Sequence, residues 1–253
     1  MMVGVNDRHE LHRADDRPDT RTEWLESRHS FSFGDNYDPA NTHHGVLMVH
    51  NDETVSPQQG FDSHPHRDME IITWVLSGSL VHQDSMDHSG VIFPGLAQRM
   101  SAGTGIRHSE RNDTWRADAT TGIEPVHFVQ MWVLPDESGI EPGYDQLDIS
   151  EQLTGGGLVT VASGMPAYDS AIRIANKNAA FHVARLSVGQ SVPLPDLPWG
   201  HVFVASGSAW LEGTGDELQT GDAVRITGGG GEKLTATTDA EILIWEMHKK
   251  LGR

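Results

Sequence analysis

The 253-residue chain contains no cysteine. This excludes a disulfide framework, a thiolate metal site and a cysteine nucleophile. Any metal must therefore be held by histidine, aspartate or glutamate. No run of 18 apolar residues occurs, so no membrane span is expected. The opening stretch MMVGVNDRHELHRADDRPDTR lacks the apolar segment of a signal peptide. The expectation is a soluble, cytoplasmic protein. Lysine is scarce, with four among 18 basic residues against 36 acidic ones, and the net charge is −18. Such a chain repels phosphate backbones. Its largest basic run is Lys249–Lys250, so direct nucleic-acid binding is not expected. Long helical periodicity is also missing.

The segments that are present are short and strand-like. GVLMVH (45–50), EIITWVL (70–76), HFVQMWVL (127–134), AFHVARLSV (180–188), HVFVA (201–205) and EILIWEM (241–247) are rich in β-branched and aromatic residues. Gly, Pro, Asn, Asp and Ser separate them, the pattern of an all-β barrel or sandwich. WLESRHSF (24–31) and SEQL (150–153) read as short helices or turns at most. SFSFGD (30–35) suits a strand with one buried face. GGGGE (228–232) is not followed by the lysine-plus-hydroxyl pair of a phosphate loop and reads as a turn.

The chain also repeats itself. VLSGS around residue 75 matches VASGS around residue 204. PGLAQRMSAGTG (94–105) lines up with TGDAVRITGGGG (220–231), so that Gly95, Ala97 and Arg99 meet Gly221, Ala223 and Arg225. One β-unit duplicated in tandem is expected, with a boundary in the turn-rich stretch 135–146.

Chemistry concentrates in GFDSHPHRDME (60–70). Residues i and i+2 of a strand share a face, so His64 and His66 project side by side. Pro65 between them suits an edge or an irregular strand start. A second pair at the same spacing, His108 and Glu110, follows in GIRHSE. If the two strands are neighbours, three imidazoles and one carboxylate converge. That donor set suits a divalent first-row metal and leaves positions open for water, oxygen or substrate. His9, His12, His43, His44, His82, His88 and His248 are assigned no carboxylate partner in a site and read as ordinary surface or hydrogen-bonding residues. The repeat offsets carry His64 and His66 onto Pro193 and Pro195, and His108 and Glu110 onto Leu234 and Ala236. One metal site, in the first half, is expected.

Four stretches, WLESRHSFSFGDNYDP (24–39), GFDSHPHRDMEIITWVLSGSLVHQDS (60–85), GVIFPGLAQRMSAGTGIRHSE (90–110) and QMWVLP with EPGY (130–135, 141–144), resemble the pirin family of the cupin superfamily, in its bacterial form. The resemblance implies two tandem jelly-roll-like cupin barrels, a bicupin. An N-terminal metal-binding domain would span 1–140, and a C-terminal cupin domain without metal ligands 141–253. It implies one divalent metal, Fe(II) first, with Mn, Ni, Cu, Co and Zn as alternatives, held by His64, His66, His108 and Glu110. Cupins at large take a carboxylate shortly after H-x-H, which makes Glu70 the competing ligand.

The resemblance further implies activity like that of quercetin 2,3-dioxygenase, with a flavonol-type aromatic and O2 as substrates and Glu110 as ligand, general base or both. An aromatic substrate needs an apolar slot. Phe61, Trp74, Phe93 and Met100 are candidate walls, and Gln98 and Gln130 candidate polar contacts. Arg67 would attract an anionic substrate or pair with Asp68 or Glu70. The alternative is a non-catalytic metal- or redox-sensing regulator that binds a partner protein such as a central-metabolism enzyme. A monomer is expected.

Overall fold

The computed structural model describes residues 8–114 and 122–252. In chain order the strands are β1 (His9–His12), β2 (Asp19–Arg21), β3 (Leu25–His29), β4 (Leu47–Val55), β5 (Gly60–His66), β6 (Glu70–Ser77), β7 (Leu80–Asp84), β8 (Ser89–Ile92), β9 (Leu96–Ser101), β10 (Ile106–Arg111) and β11 (Val126–Val133). They continue as β12 (Gly143–Asp148), β13 (Leu158–Ser163), β14 (Ile172–Arg173), β15 (Ala179–Leu186), β16 (Ser191–Pro193), β17 (Asp196–Ser206), β18 (Ser208–Leu211), β19 (Glu217–Gln219), β20 (Ala223–Gly230), β21 (Lys233–Ala236) and β22 (Ala240–Met247). Helix among the described residues is confined to two 3₁₀ turns, Ala14–Asp16 and Gln152–Gly155. No helix among them is long and apolar enough to cross a membrane.

The strands form two barrels of equivalent topology. The first has a large sheet, β12-β9-β6-β11-β4-β3-β2, over a small one, β5-β10-β7-β8. The second has β1-β20-β17-β22-β15-β13-β14 over β16-β21-β18-β19. Strand for strand, β9-β6-β11-β4-β3 corresponds to β20-β17-β22-β15-β13, as a duplicated unit requires. Two strands cross between the halves. β1, from the N-terminal side, pairs antiparallel with β20. β12, which follows residue 140, pairs with β9.

The six apolar segments read from the sequence supply β4, β6, β11, β15, β17 and β22, all in the two large sheets. Those sheets pack face to face. Their shared core holds Ile72, Trp74 and Met131 from one side and Phe181, Phe203 and Trp245 from the other. Phe181 stacks on Trp245 at 5.2 Å and meets Trp74 edge-on at 6.2 Å.

Segment 24–31 differs from expectation. It forms β3, paired with both β2 and β4, because Leu25, Ser27 and His29 alternate inward. SFSFGD is not a regular strand: Phe31 is buried, and Phe33 makes only an isolated bridge to Asn36. The expected turn at 228–232 begins inside β20, which runs to Gly230.

The barrel interiors differ in kind. The second is filled by one continuous aliphatic cluster that includes Val192, Leu194, Val204, Leu234, Ala236 and Ile244. The first has two small apolar clusters. One lies around Val75, Leu80 and Phe128, the other around Ile71, Met100 and Ile106. Buried polar side chains such as Thr73, Gln98, His108, Glu110 and Gln130 occupy this interior as well. A buried polar group costs stability unless it finds a partner, so this polar layer marks the place to look for function.

Candidate metal centre

The centre is built on three adjacent strands of the first small sheet. In the register of β10 against β5, His108 sits opposite His64 and Ile106 opposite His66. Between His108 and Glu110 the register slips, because Glu110 faces Phe61 and β5 carries one extra residue there. This bulge bends β5 locally and re-aims its side chains. On the other side of β10, Glu110 faces His82 and His108 faces Asp84.

The three imidazoles His64, His66 and His108 lie with ring centroids 4.5–4.8 Å apart. A ligand nitrogen from each falls within 4.8 Å of the others. His64 donates its Nδ1–H to the Asp62 carbonyl at 2.8 Å, which leaves Nε2 as its free lone pair. His66 Nε2 and both ring nitrogens of His108 are buried with no hydrogen-bond partner among the described residues. Unpartnered buried nitrogens facing one another are costly in an empty pocket and natural in a metal site. On this observation the residues fit a divalent ion.

Burial holds His66 and His108 neutral, each pushed down to about 4. Neutral imidazole is the form that binds metal. At Glu110 burial pushes upward, but the fields of His108 and His82 and a hydrogen bond from Gln130 outweigh it, and the carboxyl lies below its usual range. Gln130 Nε2 reaches both carboxylate oxygens at 2.9 and 2.8 Å, and Thr73 Oγ1 donates to one at 3.3 Å. Glu53, also buried, is pushed up to about 8 by desolvation. Burial therefore favours the protonated form of Glu53, while the surroundings of Glu110 favour its carboxylate.

Glu110 groups with His108 and His82, whose ligand atoms lie within 4.8 Å of each other, rather than with His64 and His66. The 3.8 Å between His108 Nε2 and Glu110 Oε2 joins the two sets. His82, read from the sequence as an ordinary histidine, is fully buried in the centre. The signal was present in LVHQD (80–84). Leu80 faces the barrel interior, so His82 and Asp84 must share its face. Trp132 was also missed; its ring lies edge-on to His66 at 4.8 Å, and its Nε1 donates to Gln130 Oε1 at 3.0 Å.

Of the proposed walls and contacts, Gln130 holds Glu110 directly. Gln98 is buried opposite Thr73, with its Oε1 unpartnered. Met100 packs near Trp132, and the Phe61 ring lies 6.3 Å from His64. Trp74 is a correction. Thr73 points at Glu110, so Trp74 must face the opposite side of β6, where its Nε1 donates to Glu241 at 2.6 Å. Phe93 lies in the turn after β8 and is 37% exposed, away from the triad's ring contacts. Glu70 is excluded as a ligand by the same parity. It accepts from Ser101 Oγ and the Ala175 N–H, on the face toward the second barrel. Arg67 is exposed and approaches Asp68 at 3.5 Å.

In the second barrel, β21 pairs with β16 so that Leu234 faces Val192 and Lys233 faces Pro193. Arg107 likewise faces Pro65. Pro193 is therefore the counterpart of Pro65. The histidine positions fall on Val192 and Leu194, one residue from where the repeat offset put them. Both are buried in the aliphatic cluster.

Gly60 lets β5 lie this close to β10. Its φ is +154°, and a Cβ there would fall 2.4 Å from the Glu110 carbonyl oxygen and 2.5 Å from Arg111 Cα. Gly60→Ala is expected to cost about 1–3 kcal/mol and to weaken metal binding by displacing β5. Melting curves with and without added Ni(II) check both effects.

Two cupin barrels, with a histidine-rich centre in the first, define a bicupin. The description Pirin matches residues 10–133, and Quercetinase C-terminal cupin domain matches 160–247. A Mycobacterium tuberculosis protein, whose name provisionally assigns it quercetin 2,3-dioxygenase activity, is 59% identical over 243 residues, 96% of each chain. The Escherichia coli protein named quercetin 2,3-dioxygenase is 34% identical over 244 residues, covering 94% of this chain and 97% of that one. The crystal structure of the Escherichia coli bacterial pirin YhhW in complex with nickel(II) superimposes with a TM-score of 0.84 at 31% identity, over 96% of this chain and 100% of that one. The chain belongs to the pirin family.

Proposed function

We propose that the chain is a metal-dependent dioxygenase of the quercetin 2,3-dioxygenase kind, opening a flavonol ring with O2 at a centre of His64, His66, His108 and Glu110. One observation carries the reading: unpartnered imidazole nitrogens turned toward one another beside an ionised carboxylate. Two likenesses support it. The chain resembles a quercetin 2,3-dioxygenase over nearly its whole length, and a similar pirin holds nickel(II).

A divalent ion bound there, Fe(II) first among the candidates, supplies Lewis acidity toward the 3-hydroxyl and 4-carbonyl of the flavonol. The chain supplies the remaining functions. Glu110 is the candidate catalytic residue: as a carboxylate it accepts the 3-hydroxyl proton, which makes the ring electron-rich toward O2. Gln130 and Thr73 hold that carboxylate in place. Trp132, Phe61 and Met100 form the apolar side of the slot, and the unpartnered Gln98 Oε1 offers an acceptor. The overall reaction consumes one O2 per flavonol and releases one ring carbon as carbon monoxide.

The test is elemental analysis of untagged protein together with flavonol-dependent oxygen uptake on the same sample. About one ion per chain with turnover is expected. Glu110→Gln should lower turnover by roughly 100-fold or more; full turnover with metal retained would remove the base role. Bound metal without oxygen uptake would overturn the dioxygenase reading in favour of a sensing regulator with a protein partner. No metal after anaerobic reconstitution with iron, manganese, nickel and copper would overturn the centre.

A further inference from the structure

His82 is positioned like a metal ligand. On β7 it sits directly opposite Glu110, with its ring 5.3 Å from that of His108. Its Nε2–H points to Asp84 Oδ2 at 3.3 Å. Asp84 is itself pinned by the Met86 and His88 backbone N–H groups at 2.9 and 3.1 Å. A carboxylate behind one ring nitrogen is the usual support of a ligating histidine, fixing the tautomer so that the other nitrogen presents its lone pair. Here that other nitrogen, Nδ1, is buried and unpartnered. The Tyr144 ring packs on His82 at 4.9 Å and closes the outer side. His82, His108 and Glu110 are all buried, whereas His64 and His66 are half-exposed.

We propose that His82, His108 and Glu110 form an inner position for a divalent, imidazole-favouring first-row ion, adjoining the outer triad of His64, His66 and His108. The two positions share His108, so one ion occupies either of them, and the inner one is shielded from solvent. This inference rests on the reading of the centre as metal-binding, and it adds His82 as a ligand beyond the four-residue set.

The test uses Ni(II) and Co(II) as probes on full-length protein, with bound ions counted after equilibrium dialysis and the visible spectrum of the Co(II) form recorded. His64→Ala/His66→Ala removes only half-exposed rim residues, and circular dichroism and melting confirm its fold. It is expected to keep about one ion per chain, with affinity reduced roughly 10–100-fold and an altered Co(II) spectrum. Adding His82→Ala, or His82→Gln if alanine fails to fold, is expected to abolish that binding. A folded double variant that binds no ion would overturn the inner position, as would a triple variant that still binds one. Wild type that binds neither ion would overturn the whole centre, and this inference with it.

Discussion

Replacing His108 with alanine is expected to abolish divalent-metal binding entirely and, with it, flavonol-dependent oxygen uptake. His108 stands on the central strand of the site, opposite His64 on β5 and Asp84 on β7. It is the one residue common to both candidate ligand groups. Without it, neither group retains three donors, and Glu110 does not group with His64 and His66. Losses of supporting groups around metal ligands alone cost about 10–100-fold in affinity, so losing the shared ligand should cost more than about 100-fold. The stability readout separates this from misfolding. A ligand at 100 times its Kd stabilises the folded state by about 2.7 kcal/mol. Wild type should therefore melt higher with Ni(II) present, and His108→Ala should show no such rise. The metal-free melting points should stay close, because the substitution removes two buried nitrogens that lack partners. A variant that binds a full equivalent of metal with an unchanged Co(II) spectrum would refute the role.

The second large effect concerns acid. Between the barrels, His50 and His201 lie fully buried with ring centroids 4.5 Å apart. Arg17 and Arg225 flank them, with guanidinium groups over Phe203 and Phe31 at 5.1 and 4.6 Å. His44 and Asp52 also border the group. Burial, reinforced by Arg17, pushes His50 down to about 3. Burial and the neighbouring His50 push His201 well below its ordinary value.

A histidine with a depressed folded pKa binds fewer protons folded than unfolded. Its penalty is absent at neutral pH and grows as pH falls below the unfolded value near 6.5, down to the folded value. At pH 5 one such histidine costs about 2 kcal/mol. In a chain of this size that corresponds to roughly 4–8 °C in Tm. Metal-free wild type should therefore lose stability steeply between pH 6.5 and pH 4. His66 and His108, at about 4, add with the same sign. His201→Leu should match wild type at pH 7 and exceed it by about 2 kcal/mol at pH 5. Parallel denaturation curves at both pH values decide the matter, and an equal acid loss in the variant would count against the pair.

The two pairs of side chains proposed as ligands could be read from spacing because the evidence for each pair is local. Two i, i+2 pairs share a face wherever a strand forms, and the structure sets those strands side by side. The same logic, applied to LVHQD, would have placed His82 inside. In the structure its i+2 carboxylate, Asp84, supports the imidazole rather than joining it as a ligand. Trp74 is misplaced, and Glu70 stays open as the competing ligand, for a different reason. EIITWVL is apolar on both faces, since both sides of β6 are covered: one by its own barrel, the other by the second. Alternation then gives no hint of which parity faces the metal.

The repeat offset missed by one residue at Val192 and Leu194, because the second copy carries one residue more between Pro193 and Val204 than the first does between Pro65 and Val75, and the offset was taken from the matching block after that insertion.

The all-β class, the duplication and the pairing of His64 with His66 and of His108 with Glu110 were thus determined by the sequence alone. The strand pattern and the two pairs are properties of neighbours along the chain, and the duplication is a likeness between two of its stretches. Only the tertiary structure decided that Thr73 rather than Trp74 meets Glu110 and that β1 and β12 lie on sheets of the opposite half. Those outcomes depend on strand register and on which sheet closes over which. They are set by contacts between residues far apart in the chain, whose burial energies no local pattern encodes.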